Sequence, residues 1–166
     1  MKPTCRFVAS WLIVLFAAGA AFAAADAERE KANKDELAKL QGKWKVAGFT
    51  KSGQQDLDEL VKLGLLFTFK DDSLTVTADR EGFTPQNQLL RLDATTTPKL
   101  LDFAESAKAF DEHKKVYEGV YSLDGDTMQW CFNLDGDQPA KANRPAAVES
   151  KADSGTILIK LERQKE

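Results

Sequence analysis

Cysteine and histidine are nearly missing, for the 166 residues hold two cysteines and a single histidine, His113. A zinc site of the usual kind draws three or four ligands from these types. One monomer therefore has too few without recruiting several carboxylates. A glycine-rich phosphate loop and a serine-elbow motif are missing as well. His113 sits among charges in AFDEHKKV, and the acidic pairs Asp71/Asp72 and Asp111/Glu112 fall in turn or loop segments, where charge is ordinary. No nucleophile, base and ligand set assembles from such an inventory. The expectation is a protein that is not an enzyme, with no cofactor and no metal site.

Long apolar runs are also scarce, and the only one stands at the start, in MKPTCRFVASWLIVLFAAGAAFAAADA. Lys2 and Arg6 precede an apolar stretch from about Phe7 to Phe22, and Ala21-Phe22-Ala23 gives the small-x-small pattern of a cleavage site. The stretch is shorter than the roughly 20 residues a membrane span needs. It reads as a signal peptide over residues 1–23, cleaved after Ala23 or Ala25. A lipid anchor would need a cysteine directly after the run, whereas Cys5 lies ahead of it. The expected product is exported, periplasmic or extracellular, with no membrane span after cleavage. It keeps one thiol, Cys131, and so has no internal disulfide. A strong positive charge is lacking too: 23 basic residues face 26 acidic ones, and cleavage removes Lys2 and Arg6. That balance argues against nucleic acid and anionic membrane surfaces as partners.

What the chain does have is alternation. After a charged linker over residues 24–36, Asp35 to Gly42 reads as a short helix with Asp35 as cap and Gly42 as stop. Eight runs then carry apolar residues at every second position: Gly42 to Thr50, Leu65 to Lys70, Ser73 to Ala78, Gln88 to Asp93, Lys99 to Phe103, Val116 to Leu123, Thr127 to Asn133 and Thr156 to Arg163. Between the first two, QQDLDELVKL at Gln54 to Leu63 spaces Leu57, Leu60, Val61 and Leu63 for a short helix. The predicted fold is all-β: one domain over residues 37–166, a small eight-stranded antiparallel up-and-down barrel with a short N-terminal helix and a short helix after the first strand. Closure removes the exposed edges of an open sheet.

The tetrapeptide Leu-Asp-Gly-Asp occurs twice, in LDGDTMQWCFNLDGD at Leu123 to Asp137. A calcium loop starting at Asp124 would need an acidic or amide ligand at Met128, a glycine at Gln129 and a glutamate at Asp135, so the ligand set collapses. A hairpin fits better. With Asp124-Gly125 as its two-residue loop, Tyr121 faces Met128, Gly119 faces Trp130 and Tyr117 faces Phe132 on an apolar side, and the glycine makes room for the largest ring.

Gly42-Lys43-Trp44 opens the first strand, with Trp44 in inward phase with Val46 and Gly48, and Arg163 closes the last strand in phase with Ile157, Ile159 and Leu161. A barrel brings these strands together, so the guanidinium of Arg163 is expected over the Trp44 ring. This looks like the Gly-x-Trp start and basic closing residue of lipocalin-type (calycin) barrels. Together with LQGKWKV, PKLLDF at Pro98 to Phe103, GVYSLDGDTMQWCF at Gly119 to Phe132, Arg144-Pro145, and Ser154-Gly155 before ILIKLER, the chain resembles an uncharacterised lipocalin-like family found mostly as exported proteins of planctomycetes. The resemblance runs from about Leu37 to Arg163. It implies a small eight-stranded barrel and carries no ligand or catalytic residue with it. The segment Ala104 to Lys115 departs from the pattern by its length, which implies a differently shaped rim.

Eight-stranded barrels are filled by their own side chains or hold one small ligand. The inward candidates for lining a site are Phe67, Phe69, Tyr117, Tyr121, Met128, Trp130 and Phe132, while Gly42, Trp44 and Arg163 are assigned to barrel closure. A buried Tyr117 or Tyr121 phenol needs a hydrogen-bond partner, which a ligand would supply. The expected function is binding of a small apolar or amphipathic molecule by a monomer. The alternative is a filled barrel that acts as an envelope or protein-interaction module, with Ala104 to Lys115 or Leu134 to Gly155 as the contact surface for an envelope protein partner.

Overall fold

The computed structural model describes residues 13–55, 62–133 and 144–165. A helix α1, Ile13–Leu40, leads into strands β1 (Gly42–Lys51), β2 (Gln54–Gln55), β3 (Leu66–Lys70), β4 (Ser73–Thr77), β5 (Gln86–Asp93) and β6 (Lys99–Ala104). A short helix α2, Ala107–Asp111, is followed by β7 (Gly119–Asp124), β8 (Thr127–Asn133) and β9 (Thr156–Arg163). Strand β3 pairs antiparallel with β1, consecutive strands from β3 to β9 pair antiparallel with one another, and β9 returns to pair with β1 from Trp44↔Arg163 to Lys51↔Ile157. Strands β1 and β3 to β9 thus form a closed eight-stranded antiparallel barrel, and β2 is a two-residue return on the end of β1. No helix among the described residues is long and apolar enough to cross a membrane.

The period-two runs form strands because one face of each is buried on the barrel axis. In β8, Met128, Trp130 and Phe132 point inward, and in β9 Ile157, Ile159 and Leu161 do. Aromatic rings run up the interior in contact: Trp44 to Phe69 and Phe69 to Trp130 with centroids 6.5 Å apart, then Trp130 to Phe103 at 5.0 Å and Phe103 to Phe132 at 5.1 Å.

Four details differ from the sequence expectations. First, helix α1 starts far upstream of Asp35 and includes the whole stretch expected as a linker. Asp35 is an interior helical residue, and the helix stops before Gly42, whose φ of +111° suits glycine alone. Second, the register of β1 shifts between Val46 and Gly48, with Ala47 as the extra residue. The bulge moves the inward phase from Trp44 and Val46 to Phe49, so Gly48 lies opposite Lys160 rather than on the inner face.

Third, the β7–β8 hairpin pairs Asp124 with Thr127, and its loop is Gly125-Asp126 rather than Asp124-Gly125. Positive φ falls on Gly125 at +55°, the first loop position, as a type II′ turn requires. Tyr121 therefore opposes Trp130, and Gly119 opposes Phe132. The displacement is two residues along one strand, which leaves every side chain on its expected face. Fourth, Tyr117 lies outside β7 and meets the barrel through an isolated bridge to Phe103. Of the helix expected over Gln54 to Leu63, Gln54 and Gln55 are strand, and residues 56–61 lie outside the described residues. The second Leu-Asp-Gly-Asp, at 134–137, lies outside them as well.

Candidate functional site

The barrel has two unlike ends. The start of β1, the end of β9 and the β3–β4, β5–β6 and β7–β8 turns gather at one end, against the last turns of α1. Leu40 is fully buried there, and Trp44 Nε1 donates to its carbonyl at 2.8 Å. The guanidinium of Arg163 stacks over Trp44, 4.2 Å from the ring centroid. The same group donates from Nη1 to the Gln41 carbonyl and from Nη2 to the Lys39 carbonyl, both at 2.5 Å, and from Nε to Asp126 Oδ1 at 3.0 Å. A cation on these carbonyls satisfies groups that a helix C-terminus otherwise leaves open. Gly42, Trp44 and Arg163 thus meet where the sequence placed them, and Arg163 also fastens the helix.

Glu36 is the polar residue buried in this plug, 3% exposed. Lys99 Nζ donates to its Oε1 at 2.5 Å, Lys39 Nζ to its Oε2 at 3.0 Å, and the Tyr121 hydroxyl to Oε1 at 3.3 Å. Burial alone would raise the Glu36 pKa, but the hydrogen bonds from Lys99 and Lys39 outweigh it and hold the carboxyl below its ordinary range. Burial, and then the Glu36 charge, push the Tyr121 phenol well above its ordinary value. The buried phenol that needed a partner has one within the protein. Further along α1, Asn33 Oδ1 accepts from Ala94 N at 2.8 Å, and Arg29 pairs with Asp93 at 2.6 Å.

Of the seven expected lining residues, Phe69, Tyr121, Met128 and Trp130 belong to this sealed half, each 0–1% exposed. Phe67 and Phe132 stand nearer the other end at 6%, and Tyr117 is half-buried at the rim, stacked on Phe103 with centroids 4.6 Å apart and planes at 13°. Val46, Leu65 and Val76 complete this half of the inner wall and are only partly buried.

Here the wall also parts. Strand β1 pairs with β3 only from Gly42↔Phe69 to Lys45↔Leu66, then bends away at the bulge. The gap forms a cleft of about 740 Å³. Its lining joins inward-phase Val46 and Leu65 to Lys45, Leu66, Thr77 and Glu162 on the outward phase of their strands and to Asp79, so apolar and charged groups share it.

Two inner-wall residues outside the expected lining set are Phe103 and Gln88. Both lie in runs marked as strands, and Gln88 is in phase with Leu90 and Leu92. The signal was present, but a glutamine at the start of a run reads as solvent-facing.

On the outside, Arg144 packs over β6 and β7. Its Nη1 donates to Asp102 Oδ1 and to the Gly119 carbonyl, and its Nη2 to Asp102 Oδ2 at 2.7 Å. The segment after it covers Cys131, whose thiol donates to the Glu149 carbonyl at 3.1 Å. Burial raises the Cys131 pKa, so the thiol is held in its unreactive form. His113 lies exposed in the turn after α2. Comparison of the chain with family models, with curated proteins and with solved structures returns no match.

Proposed function

We propose that this domain is an exported, lipocalin-like binding protein that carries a small apolar or amphipathic molecule and performs no catalysis. The ligand sits in the open half of the barrel rather than along its whole axis. The carrying observation is the cleft of about 740 Å³ where β1 leaves β3, whose lining joins Val46 and Leu65 of the inner wall to Leu66 and Ala78 and to the polar Lys45, Thr77, Asp79 and Glu162. Its volume lies within the range of roughly 300–1,000 Å³ typical of small-molecule sites. None of the seven expected lining residues borders this cleft; Phe67, Phe132 and Tyr117 stand in the same half of the barrel. Phe69, Tyr121, Met128 and Trp130 serve as the solid floor beneath them. Export is supported by the basic residues, apolar run and Ala-Phe-Ala pattern of the first 23 residues.

The sealed half favours a second reading, in which the barrel is a filled module that acts through its outer surface. Native mass spectrometry separates the two. The protein is purified from its own compartment and compared with the same sample after denaturation. An extra mass that disappears on unfolding is expected. A bare protein mass, repeated after incubation with envelope lipid extract, would overturn the carrier reading in favour of the module.

A further inference from the structure

The outer face of the closed end carries a second concavity. Strands β3, β1 and β9 lie side by side there, and a groove of about 380 Å³ runs over them. Thr68 of β3 opposes Lys43 of β1, and on the other side Gln164 N donates to the Lys43 carbonyl at 2.8 Å. Lys70 stands two residues beyond Thr68, on the same face of β3. Trp44 and Phe69 alternate with these residues and are buried in the barrel, so Lys43, Thr68 and Lys70 point outward.

Four of the eight residues lining the groove are cationic and none is acidic, although the chain as a whole has a formal net charge of −3. Two of the cations share a carboxylate, since Asp126 pairs with Arg163 at 3.0 Å and with Lys165 at 3.4 Å. The other two are Lys43 and Lys70. Neither ammonium has a partner among the described residues, and neither has the Thr68 hydroxyl or the Gln164 side-chain amide. One free lysine on a surface is ordinary. Here two stand at a diagonal cross-strand spacing of roughly 7–8 Å, within reach of each other on flexible stems, and their charges repel unless an anion lies between them.

We propose that this groove binds a small phosphate monoester, held by Lys43 and Lys70 with Thr68 and Gln164 as neutral donors. The match of charge selects the ligand, because two unpaired ammoniums balance the roughly −1.5 to −2 that a phosphate monoester carries at neutral pH. A lone carboxylate or a phosphodiester, with one charge, leaves one lysine uncompensated. The site is separate from the cleft and does not depend on the carrier reading. A soluble phosphorylated molecule and a lipid headgroup offer the same chemistry.

Methyl phosphate and dimethyl phosphate test this as a pair, alike in shape and differing by one charge. The purified protein is titrated with each at pH 8, with ionic strength held constant by chloride, and followed by proton–nitrogen NMR at the backbone amides of Lys43, Thr68, Lys70 and Gln164. Methyl phosphate is expected to give saturable shifts at these amides and to bind about threefold or more tightly than dimethyl phosphate, the size of one further exposed ion pair. K43Q/K70Q should weaken it about tenfold, whereas K108Q/K114Q, which removes the same charge around α2, should leave it unchanged. All four lysines are exposed, so both variants should fold. Vesicles of phosphatidylcholine with and without phosphatidic acid separate the two sources. Binding that needs phosphatidic acid and is lost in K43Q/K70Q assigns the site to a headgroup; methyl phosphate binding without vesicle binding assigns it to a soluble ligand. Lack of saturable shifts in the native protein, equal affinity for the two probes, or affinity unchanged in K43Q/K70Q overturns the site and leaves the carrier reading standing.

Discussion

Replacing Gly119 with alanine tests how closely the hairpin and its neighbours are packed. A Cβ at this position would lie 2.7 Å from the Leu101 carbonyl oxygen, 2.7 Å from Trp130 Nε1 and 3.1 Å from the Cys131 carbonyl oxygen. Two of these contacts are backbone atoms held in the barrel wall, and the third belongs to a ring 1% exposed. None can retreat cheaply. Overpacking of this kind costs about 1–3 kcal/mol. The displaced Trp130 also loses its bond to the Leu101 carbonyl, 3.1 Å long, and a stranded buried donor costs about 1–3 kcal/mol more. The expected loss is thus about 2–6 kcal/mol out of a total stability of about 5–15 kcal/mol.

Gly125→Ala is the control. Nothing stands within 4 Å of a Cβ there, and the cost is only that of a left-handed φ of +55°, about 1–2 kcal/mol. Urea unfolding followed by tryptophan fluorescence measures both. A Gly119→Ala loss below about 0.5 kcal/mol, in the range of ordinary surface substitutions, would refute the packing argument.

Arg163→Ala should remove the cover of Trp44 and the donors on the Lys39 and Gln41 carbonyls, costing about 1–3 kcal/mol; a red shift of Trp44 fluorescence checks it. Glu36→Gln should alter the acid limb of stability. Because the folded pKa of Glu36 lies below its ordinary value of 4.5, its contribution is complete above that value and disappears as pH falls through the lower folded value. Thermal unfolding across the acid range should therefore show the native protein's advantage over Glu36→Gln at neutral pH and its disappearance in acid; a pH-independent difference would contradict the ion-pair account. Arg144→Ala should loosen the segment over Cys131 and speed its reaction with a thiol reagent by about tenfold or more, reflecting access and a pKa no longer raised by burial.

The strands were legible because each buries one face, and a two-residue period survives in the sequence whatever the partner strand is. Helix α1 was foreshortened for the opposite reason. Its contacts with the barrel fall at Arg29, Asn33, Glu36, Leu37 and Leu40, at helical spacing, but three of them are polar and look like solvent-facing residues in a charged stretch. Glu36 is buried only because Lys99 and Tyr121, more than sixty positions away, complete its shell. The hairpin register escaped because Asp124-Gly125 and Gly125-Asp126 are equally good two-residue loops and give the same inward set. The phase of Trp44 was readable, but the bulge that transfers it to Phe49 has no local mark beyond Ala47-Gly48. The Trp44–Arg163 contact was anticipated from strand phase and closure. The open-half cleft was not, since it arises where two strands fail to pair, and no single residue encodes that.

Barrel closure also sets an order of events. The chain's first strand finds its second partner only in β9, and Gln164 N, just past that strand, donates to the Lys43 carbonyl at 2.8 Å. A ribosome delivers Trp44 well over a hundred residues before Arg163. Until the last strand is out, β1 keeps an unpaired edge and the carbonyls at the end of α1 lack their cation. So wide a sequence separation makes closure a late and comparatively slow step. The molecule accordingly stays an open, threadable sheet until β9 is available and becomes a sealed one only when that strand meets β1.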